Sequence, residues 1–283
     1  MDYNLSDMKL LVQGGEADLY EVDDSLLLRV LRRANNHEDS VKELYHLLES
    51  HQVKIPKIYE YGLVDGKQAE IMERINGEDM LEQLVRNPLQ LKKNALAFSK
   101  LHQKILHIEE PCNLATLDER VKWFVTQKGI LEPEVMKFVQ DLFEQLPKGT
   151  AICHSDFHPG NILMQDGMPY IIDMAHAYIG NRISDIAHTY LILSYVPNIP
   201  GQGAIKLGII KHFGKKLAKY YFAAMKEEFQ FDLSEFSKWT VIMASLRICY
   251  GLPSEKNERI QYVCNCYHLH KQGIDPTTWY EKI

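Results

Sequence analysis

The hydrophobic pattern of the chain changes period near residue 76, and this change constrains the fold more than any other feature of the sequence. Before it, short apolar runs alternate with turn residues, as strands do. After it, apolar residues recur every three or four positions over long stretches, as on one face of a helix. A length of 283 residues leaves room for two lobes with cores of their own. The expected class is α+β. A small antiparallel-sheet lobe spans residues 1–76 and a larger, mainly helical lobe spans 77–283, with Ile75-Asn76-Gly77 as the hinge.

In the first part, Lys9 to Gln13, Leu19 to Val22 and Ser25 to Leu31 read as strands, separated by Gly14-Gly15 and Asp23-Asp24. A helix follows, because Ser40-Val41-Lys42-Glu43 fits a capping box and Val41, Leu44, Leu47 and Leu48 keep helical spacing. Ile58 to Leu63 and Gln68 to Met72 read as two more strands joined at Asp65-Gly66. In the second part, Leu91, Ala95, Phe98, Leu101, Ile105 and Ile108 mark one helix face, and Val135 to Leu146 marks another helix. Ala151 to Cys153, Ile162 to Met164 and Tyr170 to Asp173 are short apolar runs bounded by turn residues, Asp166-Gly167 among them. Helices are then expected over Asp185 to Ser194, Lys206 to Glu228, Ser234 to Tyr250 and Ser254 to Gln272, with Ser234 and Ser254 as N-caps. Val196 to Gly203, with two Pro and two Gly, is expected to be a loop.

The most informative stretch is His154-Ser155-Asp156-Phe157-His158-Pro159-Gly160-Asn161. It lies between two apolar runs, so it is a loop carried on strands. Asn161 follows Asp156 by five positions (161 − 156 = 5), the spacing that joins a catalytic Asp to a metal-binding Asn in protein kinases. Phosphoryl transfer explains the residue types. It needs a carboxylate to orient the incoming hydroxyl and accept its proton, and oxygen donors to hold Mg²⁺. Asp173 closes the run Tyr170-Ile171-Ile172, where a hairpin could return it beside the loop as a second Mg²⁺ ligand.

With H-S-D-F-H-P-G-N-I-L, then I-I-D-M, then S-D-I-A, the chain resembles the aminoglycoside phosphotransferase and choline kinase-like family of small-molecule kinases, whose fold is similar to that of protein kinases. The resemblance runs from about Lys9 to at least Ser194. It implies that Asp156 is the catalytic base, that Asn161 and Asp173 bind Mg²⁺, and that ATP or GTP is the phosphoryl donor. It also implies a nucleotide-covering loop at Gly14 and Gly15, a phosphate-contacting Arg29 oriented by Glu43, and a strand and hinge at Met72, Glu73 and Ile75 that meet the adenine ring. Nucleotide and Mg²⁺ are then expected between the lobes, and the acceptor is a small hydroxyl compound: an aminoglycoside, an amino alcohol or a sugar. Asp185 and His154 match positions that support the loop. Ser155 stands where protein kinases have Arg, Met174-Ala175 replaces their Phe-Gly, and no Ala-Pro-Glu segment follows, so a kinase regulated by activation-loop phosphorylation is not expected. Met174 and Asn181 also stand where many relatives have Trp and Asp.

Two other classes remain open. His154, Asp156 and His158 alternate and could bind the metal of a hydrolase. A catalytically silent, nucleotide-binding pseudokinase would carry the same loop. Cys264, Cys266, His268 and His270 fit no zinc-finger spacing, and no zinc is expected there. A net charge of −6 gives no bulk attraction to nucleic acid or anionic membrane, so neither is an expected partner. Five cysteines without a C-x-x-C pair point to a reducing compartment. With no leader-like start and no apolar run near ~20 residues, the expected location is the cytoplasm. Nothing in the sequence speaks to oligomeric state.

Overall fold

The computed structural model describes residues 1, 3–33, 38–196 and 204–283, without the side chains of residues 204–206. It divides into two compact units, one of Met1–Met80 with Gly160–Ile172, the other of Leu81–Pro159 with Asp173–Ile283.

The first unit is built on five antiparallel strands: β1 (Leu10–Gln13), β2 (Ala17–Glu21), β3 (Leu26–Leu31), β4 (Ile58–Val64) and β5 (Lys67–Glu73), in the order β1-β2-β3-β5-β4. Strand alternation sorts the side chains. Leu28, Val30, Ala69 and Ile71 point to one buried face and form a core with Val64. Arg29 and Glu70 lie opposite each other on the other face. Helix α1 (Glu38–Ser50) buries Leu44 and Leu48, and its Lys42 ammonium lies 4.6 Å from the Tyr61 ring centre. Each fully buried Leu of this kind contributes ~1.5–3 kcal/mol. The helix opens at Glu38, so Ser40 lies within it and is not its cap; residues 34–37, just before it, fall outside the described ones. Asp65-Gly66 joins β4 to β5 with both residues left-handed (φ 51° and 75°), the arrangement that tight hairpins demand and that Asp-Gly supplies. A second, three-stranded sheet pairs β6 (Glu78–Asp79) with the hairpin of β8 (Ile162–Gln165) and β9 (Met168–Ile171).

The second unit is helical, with α2 (Met80–Arg86), α3 (Leu91–Leu106), α4 (Leu117–Val125), α5 (Pro133–Gln145), α6 (Arg182–Ser194), α7 (Ala204–Phe229), α8 (Leu233–Tyr250) and α9 (Lys256–Lys271). The short strands β7 (Ala151–Cys153) and β10 (Tyr178–Gly180) pair antiparallel. Helix α8 is central: Phe236, Trp239, Val241 and Ile242 have no exposed surface. Its cap is Asp232, whose carboxylate accepts the N–H groups of Ser234 and Glu235, in place of the expected Ser234. Similarly, α9 begins at Lys256 after a 3₁₀ turn over Pro253–Glu255, so Ser254 lies in that turn. Residues 197–203, most of the expected loop from Val196 to Gly203, lie outside the described ones. Among the described residues no helix is long and apolar enough to cross a membrane.

Candidate active site

The loop from His154 to Pro159 leaves β7, and its anchor is Asp185 on α6. The Asp185 carboxylate is fully buried and accepts two successive backbone N–H groups, from His154 at 2.6 Å and Ser155 at 3.0 Å. This capture accompanies a left-handed backbone at Ser155 (φ 75°), a conformation that costs a non-glycine residue about 1–3 kcal/mol unless its surroundings enforce it. His102 of α3 shares Oδ2 with the His154 N–H, its Nε2 at 2.9 Å, and its Nδ1 lies 2.7 Å from the Tyr221 hydroxyl. Its ring stacks on Phe157 at 4.1 Å. Burial alone would raise the Asp185 pKa, but the His102 bond and charge outweigh it and hold the carboxyl below its ordinary value.

Asp156 follows and is the loop's half-exposed carboxylate, with 32% of its side chain accessible. His158 Nε2 lies 3.5 Å from Oδ2, and Arg247 of α8 lies 3.6 Å from Oδ1. Burial again works to raise its pKa, yet His158 and the Arg247 charge prevail and keep it well below the usual carboxylate range, ionised at neutral pH. His154 is fully buried, and its Nδ1 accepts the Asp156 backbone N–H at 3.3 Å. Burial lowers its pKa against the opposing charges of Asp185, Asp156 and Asp173. With His154 turned into the core, the alternation of His154, Asp156 and His158 does not present three ligands on one open face. Among the described residues no group of three or more His, Cys, Asp or Glu is placed to hold a metal ion. On α9, Cys266 is buried whereas His268 and His270 are exposed.

Asp173 lies just beyond β9, exposed and left-handed (φ 64°, ψ 57°). Asp is among the few residues that adopt this backbone readily. Asn161 is buried, and its carbonyl accepts the N–H of Ile172, the residue before Asp173, at 3.0 Å. An amide oxygen and a carboxylate are the donor types that Mg²⁺ takes.

The other sequence-derived candidates lie in the first unit. Gly14 and Gly15 form the turn between β1 and β2, where the Gly14 N–H bonds the Ala17 carbonyl at 3.0 Å. A Cβ at Gly14 would stand 2.6 Å from that oxygen, which excludes a side chain there. Arg29 forms an ion pair with Glu70 at 3.1 Å across β3 and β5. Glu43 is on the exposed face of α1. Met72 and Ile75 are buried, and Glu73 accepts the Lys57 backbone N–H at 3.1 Å.

Two arginines were not singled out from sequence. Arg120 on α4 donates to Ser155 Oγ at 3.2 Å and to the carbonyls of His176 and Ala177 at 2.8 and 3.1 Å, so one side chain ties the segment before Asp156 to the segment after Asp173. A signal for its helix was present: Thr116 and Glu119 form a full capping box. Arg247 stands 91 positions from Asp156 (247 − 156 = 91), and no local pattern marks it. Asn181 caps α6 by accepting the Ile183 N–H at 2.8 Å, a task that Asn performs as well as Asp.

Comparison with known proteins follows the same lines. A sequence model described as the phosphotransferase enzyme family (APH) matches residues 7–204. A comparison with curated proteins returned no match. Among solved structures, the apo form of a thermostable mutant of aminoglycoside phosphotransferase APH(4)-Ia is similar at 13% identity over 94% of each chain, with a TM-score of 0.65. An aminoglycoside-3'-phosphotransferase of type VIII is similar at 14% identity over 84% of this chain and 93% of its own, with a TM-score of 0.60. The gentamicin complex of APH(2")-IIa is similar at 19% identity over 92% and 90%, with a TM-score of 0.55. At these identities the likeness is one of fold, the kinase-like arrangement of an antiparallel sheet followed by a mostly helical remainder.

Proposed function

Because the chain belongs to the phosphotransferase enzyme family, we propose that it transfers the terminal phosphoryl group of ATP or GTP to a hydroxyl of a small molecule. The observation that carries this reading is the loop itself: an ionised Asp156, fixed by Asp185, five positions before Asn161. Asp156 accepts the proton of the attacking hydroxyl. The oxygen lone pair forms the new P–O bond, and the bond to the bridging oxygen breaks to leave the nucleoside diphosphate. Asn161 and Asp173 would hold Mg²⁺, which would supply positive charge to neutralise the nucleotide phosphates. Residues 1–76 serve as the nucleotide-binding lobe and 77–283 as the catalytic and substrate-binding lobe. Gly14 and Gly15 cover the phosphates, Arg29 grips them with Glu43 in support, and Met72, Glu73 and Ile75 meet the base.

Structural neighbours support the donor and acceptor classes. APH(4)-Ia variants are described in ternary complex with AMP-PNP and hygromycin B, and APH(2")-IIa in ternary complex with streptomycin and ATP. An aminoglycoside, an amino alcohol or a sugar is the acceptor we infer. The test is a coupled assay of nucleotide consumption with Mg²⁺ over a panel of these hydroxyl compounds, each paired with its deoxy analogue. Consumption that requires the hydroxyl is the expected result. Bound zinc with hydrolysis independent of nucleotide would replace the reading with that of a metallohydrolase. Nucleotide binding without consumption on any acceptor would replace it with that of a pseudokinase.

Arg29 yields a separate prediction. Arg29→Ala weakens nucleotide binding well beyond any loss of folding, and Arg29→Lys is only partly tolerated, because one ammonium does not reproduce a bidentate fork. Calorimetric titration with ATP measures both. Unchanged affinity in a folded Arg29→Ala protein would reduce Arg29 to a structural partner of Glu70.

A further inference from the structure

We propose that Arg247 is a positioning residue for Asp156, held to that task by a buried Glu255–Arg259 pair; this rests on the reading of Asp156 as the base. The geometry begins with Glu255, 1% exposed on the turn between α8 and α9. Its carboxylate accepts Arg247 Nε at 3.1 Å, Arg259 Nε at 3.1 Å, Arg259 Nη2 at 2.9 Å and the Leu252 N–H at 3.0 Å. Arg259 is itself buried and also donates to the Leu191 carbonyl at 3.2 Å. Glu255 thereby fixes one edge of the Arg247 guanidinium and turns Nη1 toward the loop. There Nη1 lies 3.2 Å from His188 Nε2 and 3.6 Å from Asp156 Oδ1.

Charge makes the arrangement directional. Two guanidinium groups and one carboxylate leave a surplus of one positive charge (2 − 1 = +1) in a buried network. His188 offers no counter-charge, since it takes the Arg247 hydrogen bond on Nε2. Asp156 supplies the missing anion. A buried ion triad is a poor source of stability, because desolvation offsets most of its attraction and apolar side chains of similar volume serve as well. What such a triad achieves here is a guanidinium at a defined place beside Asp156. In phosphoryl transfer that charge orients the carboxylate toward the acceptor hydroxyl.

The test is a double-mutant cycle between Arg247→Ala and Asp156→Asn, with folding checked by thermal melting. Transfer from γ-labelled ATP with Mg²⁺ is followed to water and to the best acceptor of the panel, and ATP affinity is measured in parallel. Arg247→Ala is expected to lower turnover by about 10- to 100-fold, the scale of a misplaced reacting group. ATP affinity is unchanged, Arg247→Lys recovers part of the rate, and Arg247→Ala has no further effect in the Asp156→Asn background. If Arg247→Ala does not fold, Arg247→Gln, which keeps most of the side-chain volume without the charge, takes its place in the cycle. An equal loss in both backgrounds, or no loss in wild type, overturns the proposal. Wild-type turnover in Asp156→Asn alone is a different failure: it removes Asp156 as the base, whatever Arg247 does.

Discussion

Asp156→Asn is expected to lower turnover by ~10²- to 10⁴-fold, the range that positioned proton transfer contributes. The substitution keeps the shape of the side chain and removes the base and the negative charge. Nucleotide affinity in the presence of Mg²⁺ is expected to stay near wild type, because the role proposed for Asp156 is toward the acceptor hydroxyl and its carboxylate lies beside His158 and Arg247. Asp173→Asn behaves differently. It loses turnover together with the Mg²⁺-dependent part of nucleotide binding, while metal-free binding survives, since an amide is a weaker Mg²⁺ ligand than a carboxylate. Calorimetric titration of nucleotide with and without Mg²⁺, on wild type and both variants, separates the two roles. Loss of Mg²⁺-nucleotide binding in Asp156→Asn, with retention in Asp173→Asn, would reverse the assignments.

The largest stability effect is expected at Asp185. Asp185→Ala leaves the N–H groups of His154 and Ser155 and the Nε2 of His102 without their acceptor in a fully buried site. Removing one partner of such a buried charged network costs about 3–5 kcal/mol. The shift of the urea midpoint at constant m-value measures it. A change below about 1 kcal/mol, the level of a single exposed pair, would contradict the anchoring role. The sign of the pH dependence follows from the lowered pKa. The carboxylate contributes fully above its unfolded value near 3.8, and the contribution is lost as pH falls through the still lower folded value. Wild type therefore loses part of its advantage over Asp185→Ala below about pH 4.

Much of this was legible in the sequence because it is local. Strand alternation, the Asp65-Gly66 and Asp166-Gly167 turns and the apolar stripe of α3 each depend on neighbours a few positions away. The spacing of Asp156 and Asn161 is local too. Helix boundaries were less legible: Asp232 and Ser234 are both good caps, and only the backbone path decides that Asp232 reaches two N–H groups. Helix α4 has nine residues, too few for a long apolar stripe, so its capping box is the one local mark of it. Arg120 and Arg247 illustrate a different limit. Each meets the loop through packing of a distant helix, and an arginine on a helix face carries no mark of what it will touch.

The hairpin of β8 and β9 belongs to the first unit although Leu81–Pro159 of the second precedes it in the chain. On the ribosome, β6 waits for β8 and the Lys54 carbonyl waits for the Ile171 N–H until those residues have been made. The interval from Met80 to Ile172 is 92 residues (172 − 80 = 92). At about 5–20 residues per second, the nascent sheet stays incomplete for roughly 5–18 s. A fragment ending at Met80 therefore lacks two of the three strands in its second sheet, and co-expression with a segment carrying Gly160–Ile172 is the complementation that would restore them. The residues on which turnover is proposed to depend, Asp156 and Asp173, flank this insertion in the chain, and the loop's anchor, Asp185, is made only after it.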